Sequence, residues 1–524
     1  MQSFIKNIVV SAWMLVVVAT PLATFAQEAD PYSPNGDLVD ALITKELIEV
    51  EDLEIENPGI LSTNPFYFIK QLRRSTWRVF SVSPVKRAEF ELNILNEKAA
   101  ELKRLQEIFP DNNDALLDAL NLYEENIYPL NKSLDKLSNL NKKDYDDFLT
   151  KLFNTGVKHI KLFDELKEGS EIRVRERLNE AQTQLSGVMA KGILLDGYES
   201  FGKRFNNIAD KLAGSILKEI KIVEVLDRFQ GELPVDSLEN QVVAKLKENF
   251  ILKTEAKLVA EDLRAILPAF LEKLPGDSWR RIKMLDESRE YVTTPDLRND
   301  LTLVRQLILD LATQTREISK TDSDNLAEDS TMLLEFLEGR KENLRNSYIK
   351  SILASAGFNL EQAEYSMKDG HYIQALGQAS SAMASLQNAL SQSLFVGENG
   401  EENINKELMG LKEFYDLLVS TADDSQLDYQ NISELNDLFI LAEESLVELS
   451  DNADDSLDEV IPALRGVKVL LFQLESSLEN AVNNVELKLQ KKKAAQPLIK
   501  KVFNDNSGDN ELKREAAEEF KNER

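Results

Sequence analysis

From Pro84 onward the apolar residues Ala88, Leu92, Leu95, Ala99 and Leu102 recur at alternating spacings of four and three, the period that keeps one face of an α-helix oily. Ser83-Pro84 supplies the start, a capping side chain followed by proline at the first helical position, and Phe109-Pro110-Asp111 supplies the stop. The same period predicts helices over about 113–128, 145–166 and 171–195, with Phe148, Leu152, Ile160 and Phe163 on one side of the second. Pro129, Gly169 and Gly192 fall between these segments. Period-two alternation, the mark of a half-buried strand, is scarce throughout. The expectation is an all-α protein of antiparallel helical bundles in two to four units, with no significant β-sheet.

Breaks in the pattern divide the chain. Residues 58–195 form an N-terminal bundle, and 196–321 a middle helical unit interrupted at 230–234 and 274–277. Residues 322–396 form a further unit, 397–503 a C-terminal unit with an acidic and a basic part, and 504–524 a disordered polar tail. Within 369–390, Gly370, Tyr372, Ala375 and Ala382 occupy turn and small-residue positions of a tetratricopeptide-like hairpin. A single copy is not an array, so a tight helix pair inside a bundle is the preferred reading.

The front of the chain follows another rule. Lys6 precedes the apolar run Ile8–Ala19, followed by Pro21 and a small-residue site ending at Ala26, the three-part layout of a secretory signal cleaved after Ala26. The alternative is an uncleaved membrane anchor. Residues 27–57 read as an acidic linker. With no cysteine, the chain has neither a disulfide framework nor a lipid-bearing thiol at the cleavage site.

Of its 524 residues 43% are apolar and 29% charged, ordinary globular usage, and 62 Lys and Arg against 91 Asp and Glu leave a net charge of -29. That balance argues against nucleic acid as a partner. Against this acidity, residues 66–80 form a basic, aromatic helix. At 100° per residue Phe68, Ile69, Leu72, Val79 and Phe80 share an arc, Lys70, Arg74 and Arg78 run beside it, and Arg73 and Trp77 lie at its border. Lys86 and Arg87 extend the charge into the next helix. Three readings stay open. The basic side pairs with the protein's own carboxylates, or meets an anionic membrane or wall polymer, or meets a protein partner.

The motifs Gly59-Ile60-Leu61, Pro65-Phe66-Tyr67-Phe68-Ile69-Lys70 and Ser83-Pro84-Val85-Lys86-Arg87-Ala88-Glu89 resemble the opening of an uncharacterised domain in exported, helix-rich proteins of candidate-phylum bacteria. That domain often reads G-I-L-P-x-S-P-F-Y-F-L-K, followed by P-x-K-K-A-E. This chain has Ser62 and Asn64 where proline and serine are common. Pro275-Gly276-Asp277 with Arg280, Arg281 and Ile282, and the Gly370–Ala375 turn, are similar to later parts of such proteins. The resemblance implies export and helical structure, and lends no activity.

Between Glu413 and Leu464 there is no Lys or Arg, while acids including Asp423, Asp424, Asp451, Asp454, Asp455 and Asp458 accumulate. Bases from Arg465 to Lys501 follow, so antiparallel pairing of the two stretches is the expected arrangement and a divalent-cation or basic-partner surface the alternative. No EF-hand spacing supports a calcium loop. His159 and His371 are the only histidines and no nucleotide-binding or nucleophile-elbow motif occurs. No cofactor is expected. The reading is an exported, non-enzymatic helical scaffold or interaction protein of the bacterial envelope, whose partner is a protein or an anionic envelope surface. Membrane contact is confined to the N-terminal segment or the basic helix. An extracytoplasmic ligand- or cation-binding protein is the alternative, and a carboxylate-pair hydrolase the third.

Overall fold

The computed structural model describes residues 47–55, 83–110, 112–212, 216–260, 277–315, 318–340, 347–393, 400–425, 432–452 and 456–504. It also describes single positions at 58, 59, 61, 64, 67, 68, 70, 74, 267, 271 and 427. The signal-like residues 1–26, most of the acidic residues 27–57 and the tail beyond residue 504 lie outside these residues. Fifteen α-helices and no strand occur among the described residues: α1 (Pro84–Ile108), α2 (Asn113–Leu137), α3 (Asp146–Lys167), α4 (Ile172–Asp196), α5 (Tyr198–Leu212), α6 (Ile216–Gly231), α7 (Leu238–Ala260) and α8 (Ser278–Tyr291). They continue as α9 (Pro295–Thr315), α10 (Lys320–Gly339), α11 (Ser347–Lys368), α12 (Tyr372–Gln392), α13 (Gly400–Asp424), α14 (Ser433–Asp451) and α15 (Leu457–Asn504). The all-α expectation holds. No described helix is long and apolar enough to cross a membrane.

The stripe that announced α1 is the stripe it buries, since Ala88, Leu92, Leu95, Ala99 and Leu102 are all fully inaccessible. Two expected breaks are absent. Helix α2 runs through Pro129 to Leu137, because Leu130, Leu134 and Leu137 continue its buried face and that burial outweighs the one backbone bond proline forgoes. Gly192 lies inside α4 rather than after it. A Cβ there would come within 2.9 Å of the Leu152 side chain, so its smallness serves close helix packing. The turn comes instead at Gly197, whose φ of +76° is a left-handed conformation that glycine adopts without steric cost.

The chain groups into two compact units. The first comprises Met1–Ser133, Asn154–Gln184 and Ala265–Asp277, and the second Leu134–Phe153, Leu185–Arg264 and Ser278–Arg524. In the first, the Tyr123 ring of α2 stands edge-on to Phe163 of α3 with centroids 4.9 Å apart. Gln182 of α4 donates to the Ile160 carbonyl at 3.0 Å and to Asp164 at 2.8 Å. In the second, α12 packs against α8, α10 and α11, while α7 packs against α6 and α15. Helices α11 and α12 form the expected hairpin around Gly370, and Ala375, Ala379 and Ala382 are buried where α12 meets its neighbours. Helices α13–α15 enclose an apolar cluster that includes Leu411, Leu418, Phe439, Leu446, Leu464 and Leu471.

Candidate functional site

Of the basic helix, Tyr67, Phe68, Lys70 and Arg74 are described, and Arg73, Trp77 and Arg78 lie outside the described residues. Lys70 does not face solvent. Its ammonium lies 2.5 Å from Glu97 and 2.7 Å from Glu101 of α1, and it donates to the Pro58 carbonyl. The Arg74 guanidinium pairs with the same two carboxylates. Lys98, stacked 4.3 Å from the centre of the Tyr67 ring, adds a third cation to Glu101 at 3.0 Å. Burial lowers the Lys98 ammonium below its usual range, and Glu101 opposes that shift.

Lys70 and Arg74 are therefore not an open cationic surface, and they follow the self-pairing alternative. Phe68, expected in the core, is 59% exposed, and Tyr67 points inward in its place because its hydroxyl reaches Glu101 at 3.2 Å. Of the two bases at the start of α1, Arg87 pairs with buried Glu91 at 2.7 Å and Lys86 is exposed.

In the same unit His159 is completely buried, with Nδ1 2.9 Å from the Tyr123 hydroxyl. Its Nε2 has no hydrogen-bond partner among the described residues. Burial, reinforced by Lys158, lowers its pKa to about 3, so the ring is neutral at ordinary pH.

The second unit holds a charged interior that apolar periodicity alone misses. Helix α7 carries the buried residues Asn240, Gln241, Lys247, Glu248, Thr254 and Glu255 among its apolar ones. Lys247, wholly inaccessible, lies 2.9 Å from Asp227 of α6 and 2.7 Å from Glu287 of α8. Lys283 joins Asp227 at 2.8 Å. Burial would raise the Asp227 carboxyl, but Lys247 and Lys283 outweigh it and hold it far below the carboxylate range. Burial pushes Glu287 up instead, against the pull of Lys247. At the residue after Lys247, Glu248 accepts from the Arg465 guanidinium of α15 at 2.8 Å and lies 3.2 Å from Lys245. Arg465 also donates to Asn388 of α12 at 2.8 Å, and Lys468 pairs with Glu407 of α13 and donates to Asn249 at 2.8 Å.

At the start of α9, Glu255 caps the backbone N–H groups of Thr293 and Thr294 at 3.0 and 2.6 Å. Asp286 takes Arg305 at 2.6 Å and the Ser380 hydroxyl at 2.7 Å. These carboxylates act as counter-ions and caps, tying seven helices together. The signal for them was α7 itself, whose apolar residues lie all round the helix, so that its charged residues have no outer face to occupy.

The acidic segment lies on the outside. Asp423 and Asp424 at the end of α13 and Asp451 at the end of α14 are exposed. Asp454 and Asp455, and the side chain of Asp458, lie outside the described residues. The expected neutralisation by the following bases is not made by Arg465 and Lys468, which are buried on Glu248 and Glu407. Among the described residues no group of three or more His, Asp or Glu side chains could hold a metal ion. Large apolar side chains also stand in solvent, as Leu303, Leu307 and Leu311 at successive turns of α9 and as Ile440, Leu441 and Val447 on α14.

Comparison of the chain with protein-family models, with curated proteins and with solved structures finds no match.

Proposed function

We propose that the protein is exported to the bacterial envelope or exterior after cleavage near Ala26 and acts there, without catalysis, as a helical scaffold that binds partners through its outer helix faces. The observation that carries the interaction part is the row Leu303, Leu307 and Leu311, between 39% and 60% exposed, on a helix whose adjoining face is buried through Leu297, Leu301, Val304 and Ile308. Leucines repeated at every turn of an outer face are what a helix surface needs to receive an apolar partner. The inward pairing of Lys70 and Arg74 favours a protein partner over an anionic envelope surface. Export rests on the signal-like residues 1–26 and on the resemblance of the Gly59–Glu89 motifs to exported proteins.

Two measurements test the reading separately. Residues 1–40 fused to a reporter active only outside the cytoplasm should give activity, and an inactive reporter would remove export. In the full chain, Leu307→Glu should abolish cross-linked adducts formed in the envelope fraction while the circular dichroism spectrum is unchanged. Adducts that persist undiminished would remove the α9 face from the proposal.

A further inference from the structure

Where α15 lies along α7, the joint is mostly charge. Its apolar part is Leu252 and Ala256 of α7 with Val469 of α15, flanked by Phe472. Around these sit the Arg465–Glu248 pair, the Lys468–Asn249 hydrogen bond at 2.8 Å and, nearer the edge, Lys253 with Glu475 at 3.2 Å, while Lys468 also pairs with Glu407 inside the α13–α15 module. By contrast α13, α14 and α15 share a separate and larger apolar core. Their residues, 400–504, are contiguous in sequence, so parting them from α7 requires no rethreading of the chain.

We propose that this joint is an acid-sensitive latch, which holds the α13–α15 module against α7 at neutral pH and releases it, core intact, when the surroundings turn acidic. Closing the joint strips water from charges on both sides, so it is worth far less than an apolar joint of equal area. The group that decides the response is Glu248. Facing it are Lys245 from α7 itself and Arg465 and Lys468 from α15, with Tyr291 of α8 beside it.

Burial would raise the Glu248 carboxyl, but Lys245, Arg465 and Lys468 hold it below the usual range. On parting, Arg465 and Lys468 leave with α15 and the carboxyl moves back toward an ordinary value of about 4.3. The open form therefore takes up protons that the closed form refuses, and falling pH drives opening.

The chain has no cysteine, so Met332→Cys in α10 and Met409→Cys in α13, both exposed positions, give a unique donor–acceptor pair on the full-length protein. Transfer efficiency and far-ultraviolet circular dichroism are followed together from about pH 7.5 to about pH 4. Efficiency should fall in one step below about pH 5 with helicity retained. In E248M/R465M, which replaces the pair by apolar side chains, the step should be lost from that range. Loss of efficiency and helicity together, or an equal midpoint in both proteins, overturns the latch. Should the double variant not fold, Glu248→Gln serves: it should be open at neutral pH with helicity intact, and unchanged efficiency there is equally decisive against it.

Discussion

At His159 the interior and the proton compete directly. The unfolded chain takes up a proton near pH 6.5, whereas the folded ring resists until about pH 3, so acid favours unfolding across that interval. By linkage the penalty reaches about 3 kcal/mol at pH 4.5. His159→Gln, which keeps a partner for the Tyr123 hydroxyl, should flatten the acid dependence of the urea midpoint between those limits, and an unchanged slope would place the titration elsewhere. Glu101 poses the opposite problem, being the carboxylate on which Lys70, Arg74 and Lys98 converge. Glu101→Leu strands buried cations and should cost about 3–5 kcal/mol in urea unfolding, whereas Lys86→Glu, at an exposed site, should change stability by less than about 0.5 kcal/mol. The sequence marked Lys70 and Arg74 as notable, but the direction in which they turn depends on Glu97 and Glu101 in the second half of another helix. Spacing within one segment carries no information about such a partner. Phe68 and Tyr67 exchanged their expected places for the same reason, since a hydroxyl that can reach a buried carboxylate is worth more than a slightly better apolar arc.

Helices were readable where one side alone is oily. The α1 boundaries came from a proline and an unbroken stripe, which agree with one another; Ser83 stands at the N-cap position but its side chain makes no capping hydrogen bond. Pro129 and Gly192 misled because a breaker acts as a break only when no buried face continues past it. Gly192 lends itself to a direct test. An alanine methyl there meets Leu152 at 2.9 Å and Phe153 at 3.3 Å, so Gly192→Ala should destabilise by about 1–3 kcal/mol through overpacking, despite the better intrinsic helix propensity of alanine. A melting temperature equal to or above wild type would show that α3 and α4 can separate at little cost. Helix α7 was visible as a helix and invisible as a centre. Its burial comes from pairing rather than from greasiness, and pairing is a property of α6, α8 and α15 as much as of α7.

The net charge of -29 is unevenly spent, for the buried charged residues are close to balanced, while carboxylates such as Asp423, Asp424 and Asp451 are exposed. Self-repulsion among exposed charges is screened by salt, and buried pairs are screened much less. Raising sodium chloride from about 20 to about 200 mM, which shortens the screening length to well under the width of the molecule, should therefore raise the melting temperature at neutral pH. A fall would mean that exposed ion pairs, not exposed repulsion, dominate. The all-α class was evident from composition and period, both averages over the chain, while the charged interior depends on individual encounters that no average records. Lys247 gripped between Asp227 and Glu287 carries one more implication. An oily helix can creep along its neighbours with little penalty, but sliding α7 by a single turn, about 5.4 Å, would tear that ammonium from both anions at once. The α7 bundle thus behaves as a lock with one keyed position, and damage to it should surface as failure to assemble rather than as an alternative packing.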